Sequence, residues 1–196
     1  MARRKRIAML IGQADEEYQR RFIEGFLTQT RRENYDVCVF SMYRKYQSTA
    51  DREMGESNIY SLLNYDLFEA IVMLKDTIQS TGVAERLEED IHECFHKPVI
   101  VIEQTSPYFD SVCTDGYAPI VELVSHLIED HHYNDIAFLT GKKWHPHAKQ
   151  RLEAYKQAMR DHGLEVREER ILSGDFWYRS GQLCVDQILS GDARIT

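Results

Sequence analysis

Apolar residues along the chain follow two periods. Short, nearly continuous runs read as strands by their β-branched and aromatic content: RIAMLIG (6–12), YDVCVFSM (35–42), FEAIVMLK (68–75), KPVIVIE (97–103) and DIAFLTG (135–141). Between them apolar positions recur at helical spacing. The first such stretch, 15–32, carries Tyr18, Phe22, Phe26 and Leu27; others cover a short helix near 58–64, then 82–95, 117–130, 147–162 and 179–189. A short extended piece, FDSVCTD (109–115), and a short strand near 170–172 complete the pattern, and the polar stretch 43–58 reads as a loop.

Apolar strands separated by helices imply a mostly parallel sheet covered on both faces, an α/β fold of the doubly wound kind. The polar segment EDHHYND (129–135) is the one candidate hinge, so the chain is expected to form two lobes: residues 1–130, a hinge at 131–134, and a partial second lobe at 135–196. In such sheets ligands sit outside the carboxyl ends of the strands, at the point where strand order reverses. That rule selects Gln13 and Asp15 after the first strand, Tyr43 after the second, Lys75 and Asp76 after the third, and Glu103 after the fourth. It also selects Lys142, Trp144, His145 and His147 in the loop GKKWHPHAKQR (141–151).

Charge and motifs remove several function classes. A net charge of −8 argues against nucleic acid as a partner of these 196 residues, the basic start ARRKR (2–6) reading as a solvated tail or the flank of the first strand. No apolar run approaches the roughly 20 residues of a spanning helix, and the opening lacks the apolar core of a signal peptide, so a cytoplasmic protein with no membrane partner is expected. Cys38, Cys94, Cys113 and Cys184 form no CxxC pair and read as ordinary buried thiols of a reducing compartment. Neither GxGxxG nor GxxxxGK[ST] is present, nor is a GxSxG elbow, and no cofactor is expected. Asp15, Glu16 and Asp76 match a phosphoacceptor receiver only loosely. His92 and His96, four apart on a predicted helix, can share an ion, but without HExxH they read as surface residues. His145 and His147 flank Pro146, whose fixed φ turns them apart. A metal-dependent hydrolase using either pair is the alternative from a different function class.

What remains is aromatic and hydrogen-bonding: Trp144, the run Phe176–Trp177–Tyr178 in GDFWYRSG (174–181), and Arg151 at the start of a helix. Aromatic faces with forked donors and carboxylates suit a small polyhydroxylated or zwitterionic ligand.

The stretch CTDGYAPIVELVSHLIEDHHYNDIAFLTGKKWHPHAKQRLEAYKQAMRDHGL resembles the middle of LacI/GalR-type sensor domains, which have a periplasmic-binding-protein-like fold. The matching features are Asp115 ending an extended piece, His126-Leu127 ending a helix, the IAF-x-x-G strand, and Arg151 followed by Ala154-Tyr155. The first strand and helix and FEAIVMLK fit as well. The resemblance implies an effector-binding module with no catalysis of its own, homodimeric, passing a lobe movement to an output domain. It implies that Arg151 hydrogen-bonds the effector, that Phe176 stacks on it, and that the loop Gln13–Tyr18 contributes from the other lobe; Asp15 and Asp115 are expected to accept hydrogen bonds. The loop GQADEEY departs from the family's Asn-Pro-Phe-Phe, which leaves an ionic ligand as an option beside a sugar-like one. The resemblance also implies that a DNA-binding headpiece and the return of the chain to the first lobe lie outside these residues. The loop 43–58 and GDFWYRSG further resemble sensors attached to diguanylate cyclases.

Overall fold

The computed structural model describes residues 4–43, 49–176 and 178–189. The chain divides into two compact units, residues 1–114 and 115–196.

The first unit is built on five parallel strands in the order β2-β1-β3-β4-β5: β1 (Lys5–Gly12), β2 (Tyr35–Met42), β3 (Ala70–Leu74), β4 (Val99–Ile102) and β5 (Asp110–Val112). Strand alternation divides its core. Ala8, Leu10, Ile71 and Met73 face α3 (Val83–Cys94), which presents Val83, Ala84, Leu87 and Ile91. Met9, Ile11, Val72 and Leu74 face α1 (Glu17–Arg32), which presents Phe22, Ile23 and Phe26. Helices on both faces and a reversal of strand order between β1 and β3 make the sheet doubly wound, as the patterning implied. Tyr18 stands outside the inward stripe of α1 and is 44% exposed.

Three local differences have physical causes. Within the expected loop 43–58, α2 (Ala50–Ser57) forms, its amino end capped by the Thr49 side chain accepting the Arg52 N–H at 3.3 Å. It runs into a 3-10 turn (Asn58–Leu62) whose buried Tyr60 donates its hydroxyl to Ile11 O at 2.7 Å. The third strand stops at Leu74, because Thr77 Oγ1 donates to Leu74 O (2.6 Å) and accepts the Gly12 N–H (2.8 Å), tightening 75–77 into a 3-10 turn. The third helix ends at Cys94, where Phe95 turns extended. His96 therefore lies beyond it, and the shared helical face expected for His92 and His96 does not exist.

In the second unit β6 (Phe138–Thr140) pairs in parallel with β7 (Ile171–Ser173), alongside α4 (Ala118–Glu129), α5 (Pro146–Asp161) and α6 (Tyr178–Leu189). The apolar stripe of α4 (Ile120, Val121, Val124, Ile128) packs on Tyr155, Ala158 and Met159 of α5. That packing places α4 in the second unit, so the division falls after Thr114 rather than at the polar segment 131–134, which is a connection within that unit. β6 begins at Phe138, not at residue 135. Asp135 is held by Arg167 and Arg170, and Ile136 O accepts the Tyr155 hydroxyl at 2.8 Å, so neither takes part in the ladder.

Candidate functional site

Each unit assembles polar side chains at the carboxyl ends of its strands. In the first, Gly12 ends β1 so close to Thr77 that a Cβ there would lie 2.2 Å from Thr77 O. The chain then turns through Gln13, at φ 56°, whose N–H donates to Met42 O (2.8 Å) and whose carbonyl accepts from Glu16 (2.9 Å). Ser41 Oγ accepts the Ala14 N–H at 3.1 Å, and Gln19 Nε2 donates to Gly12 O at 3.2 Å. The turn leaves Asp15 exposed and Tyr18 at the start of α1. Burial, and then the charges of Asp76 and Glu103, raise the Tyr18 phenol far above its ordinary pKa. Tyr18, Asp76 and Glu103, from α1 and the ends of β3 and β4, thus form one acidic corner. Glu103, selected by the strand-end rule, has φ 67° and accepts from Thr114 N (3.2 Å) and Oγ1 (2.7 Å).

Lys75 is not part of that rim. It is buried, with Nζ 2.6 Å from Glu88 Oε2 and 3.4 Å from Thr105 O. Glu88 is buried as well, and its Oε1 has no hydrogen-bond partner. The pair ties α3 and the loop after β4 to the end of β3.

In the second unit a cavity of about 260 Å³ is lined by Phe138, Thr140, Gly141, Arg151, Phe176 and Ser180, among others. Arg151 reaches it from the second turn of α5, its side chain lying against Gly116. Phe176 has φ 73°, a strained conformation for a bulky residue. Its ring lies directly on Gly141, where a Cβ would stand 2.0 Å from the ring. The ring also meets that of His145 edge-on at 5.0 Å. His145 is buried, its Nδ1 has no hydrogen-bond partner, and its pKa is lowered to about 4 by burial first, then by His147, Arg151 and Lys142. It is a neutral imidazole at pH 7. Trp144 is 54% exposed, beside the His145 ring (5.6 Å) with Lys142 Nζ 5.6 Å from its own ring.

A parallel sheet with an acidic corner in one unit, and an arginine-aromatic cavity in the other, suits binding more than bond-making. The family described as periplasmic binding proteins and the sugar binding domain of the LacI family matches residues 74–192. The chain belongs to this family. Catabolite control protein A of Priestia megaterium is 36% identical over 116 residues, covering 56% of this chain and 34% of that protein. The HTH-type transcriptional regulator AscG of Escherichia coli (strain K12) is 30% identical over 110 residues, 55% of this chain and 32% of that protein. The chain thus matches about a third of the length of each. The fold agrees with the crystal structure of a LacI family transcriptional regulator from Weissella paramesenteroides with bound sucrose: TM-score 0.67, 19% identity, 92% of this chain and 63% of that one. The domain is an effector-binding domain of the LacI type, and AscG is by name an HTH-type transcriptional regulator.

Of the predicted binding residues, the structure brings Gln13, Asp15, Tyr18 and Asp76 to one edge of the first unit, and Trp144, His145, Arg151 and Phe176 to one side of the second. Asp115 is already engaged. Its Oδ1 accepts the N–H groups of Tyr117 (2.8 Å) and Ala118 (3.4 Å) at the start of α4. Trp177 lies outside the described residues. The role of Gly141 was not foreseen, though a glycine directly after a strand is the signal that marks such a close approach. His145 and His147 stay close, ring centroids 5.6 Å apart, but among the described residues no three His, Cys, Asp or Glu are grouped to hold a metal ion. Cys94 and Cys113 are exposed, unlike the buried thiols expected; Cys184 is buried and Cys38 half-buried. Among the described residues no helix is long and apolar enough to cross a membrane.

Proposed function

We propose that this domain senses a small polar molecule, sugar-like or zwitterionic, for a cytoplasmic transcription regulator that works as a homodimer. The observation that carries the reading is the cavity in which Arg151 and Phe176 converge over Gly141. A guanidinium beside an aromatic face recognises a carboxylate or a set of hydroxyls while packing an apolar ring or chain. Within the first unit, the residues after β1, β3 and β4 carry negative charge of their own: Asp15, Asp76 and Glu103 suit an ammonium or hydroxyl donors. The sucrose bound by the Weissella paramesenteroides regulator supports the sugar-like end of this range. Transcriptional output is inferred because the matched relatives are transcription regulators; a diguanylate cyclase output has no counterpart among the relatives named above. DNA contact is assigned to residues outside this acidic chain.

A thermal-shift screen with sugars, amino sugars and amino acids tests the reading, since any molecule that binds only the folded state raises the melting temperature. A hit is expected to be lost in Phe176→Ala and Arg151→Ala. A hit untouched by both places the ligand elsewhere and refutes this assignment.

A further inference from the structure

The polar connection after α4 holds a cluster that effector binding does not use. His126 lies in the last turn of α4, with Nδ1 2.5 Å from Asp130 Oδ2. A carboxylate at that distance takes the Nδ1–H and leaves the Nε2 lone pair pointing away from it. His131 Nε2 stands 3.2 Å from His126 Nε2, the two rings perpendicular, and the His131 ring is stacked on Tyr133 at 5.7 Å. Two imidazole nitrogens on one tetrahedral ion, with bonds of about 2.0–2.1 Å, lie roughly 3.3 Å apart. The spacing on the protein is therefore already that of a shared ion.

We propose that His126 and His131 are the two protein ligands of a divalent transition-metal site at the carboxyl end of α4, with Asp130 as the outer carboxylate that orients His126. Imidazole pairs suit zinc, nickel and copper(II), and a carboxylate on the far ring nitrogen raises ligand basicity. The negative end of the helix dipole favours the cation there. Without the ion, the His131 Nε2–H bridges to His126. With the ion bound, both Nε2 lone pairs face the metal and each ring carries its N–H on Nδ1. No third His, Cys, Asp or Glu among the described residues is grouped with the pair, so water completes the coordination and the site is exchangeable. The ion clips residues 131–133 to the last turn of α4. Next to it Glu129 holds His162, at the end of α5, at 2.9 Å, so occupancy stiffens that end of the second unit.

Calorimetric titration of the chelator-treated chain with zinc chloride, and separately with nickel chloride, is expected to show one ion per chain and a rise in melting temperature. His126→Asn and His131→Gln, which keep side-chain size, should each weaken binding at least tenfold, and Asp130→Asn by about tenfold. All three should melt as the parent does in chelator. His92→Ala with His96→Ala should leave the titration unchanged. Absence of binding by the parent overturns the proposal. So does affinity that survives the His126→Asn, His131→Gln double variant, or is lost with His92 and His96.

Discussion

Asp135 offers the sharpest test of what holds the second unit together. Its carboxylate is only 8% exposed and is clasped by Arg167 and by Arg170, whose own side chain is 4% exposed. Arg170 makes a forked contact, with Nε 2.8 Å from Oδ1 and Nη2 on Oδ2, while its Nη1 is buried with no hydrogen-bond partner. Asp135→Ala removes the counter-charge and leaves that guanidinium buried alone, a cost of about 3–5 kcal/mol. A unit of this size is stable by only about 4–12 kcal/mol, so the variant should be close to unfolding. Both tryptophans, Trp144 and Trp177, belong to residues 115–196, so urea unfolding followed by tryptophan fluorescence reports this unit alone. The double variant Asp135→Ala, Arg170→Met buries no orphaned charge, and most of the loss should return; Arg167, more exposed, reaches water by itself. A loss below about 1 kcal/mol in the single variant, or no recovery in the double, refutes the buried-charge argument. Acid should act in the same direction. Burial raises the Asp135 pKa, but the hydrogen bonds and charges of Arg170 and Arg167 outweigh it and hold the carboxyl below its ordinary value. The stability this contributes is complete above the unfolded pKa of about 3.9 and is lost as pH falls through the lower folded value.

Three further outcomes are expected. Arg151→Ala should weaken effector binding by about 1.5–3 kcal/mol, the range for a charge-assisted hydrogen bond, as measured by calorimetry with whichever ligand the thermal screen identifies; unchanged affinity removes Arg151 from the site. Gly12→Ala drives a methyl against the Thr77 carbonyl, backbone that cannot swing aside, so it should cost the first unit about 1–3 kcal/mol or more in denaturant unfolding, and an unaltered midpoint would contradict the packing described. The His145 imidazole should titrate by NMR near pH 4 rather than near 6.5. Because its folded pKa lies below the unfolded one, the unfolded chain takes up the proton first, and stability declines between about pH 6.5 and 4 as pH falls; a midpoint near 6.5 would mean that His145 is open to water.

Most of the fold was legible because period alone carries it. β1, β2 and α1 are long enough for strand and helix spacing to separate cleanly, and parallel strands follow from helices between them. What was hidden depended on contacts distant in sequence. α2 is short and polar, and it is fixed by a cap and by the anchoring of Tyr60 in the turn that follows it. α4 carries the same apolar stripe whichever unit it covers, and only its packing on α5 assigns it. The start of β6 is set by Arg167 and Arg170, more than thirty residues downstream of Asp135.

The site divides in the same way. That Arg151 and Phe176 line one cavity was not legible: Arg151 comes from the second turn of α5 and Phe176 from the turn before α6, and only the fold brings them together. Lys75 met the strand-end rule and yet faces inward, because Glu88 on α3 offers it a buried carboxylate. Position at a strand's carboxyl end therefore selects candidates, and the partner each charge meets decides between them. A lysine neutralised by a buried glutamate fastens the sheet to its helix. The acidic corner of Asp76, Glu103 and Tyr18 keeps its negative charge at the rim, where burial first and then the two carboxylates raise the Tyr18 phenol. That difference is why the strand ends of the first unit carry negative charge at their rim, although a lysine stands next to Asp76 in the sequence.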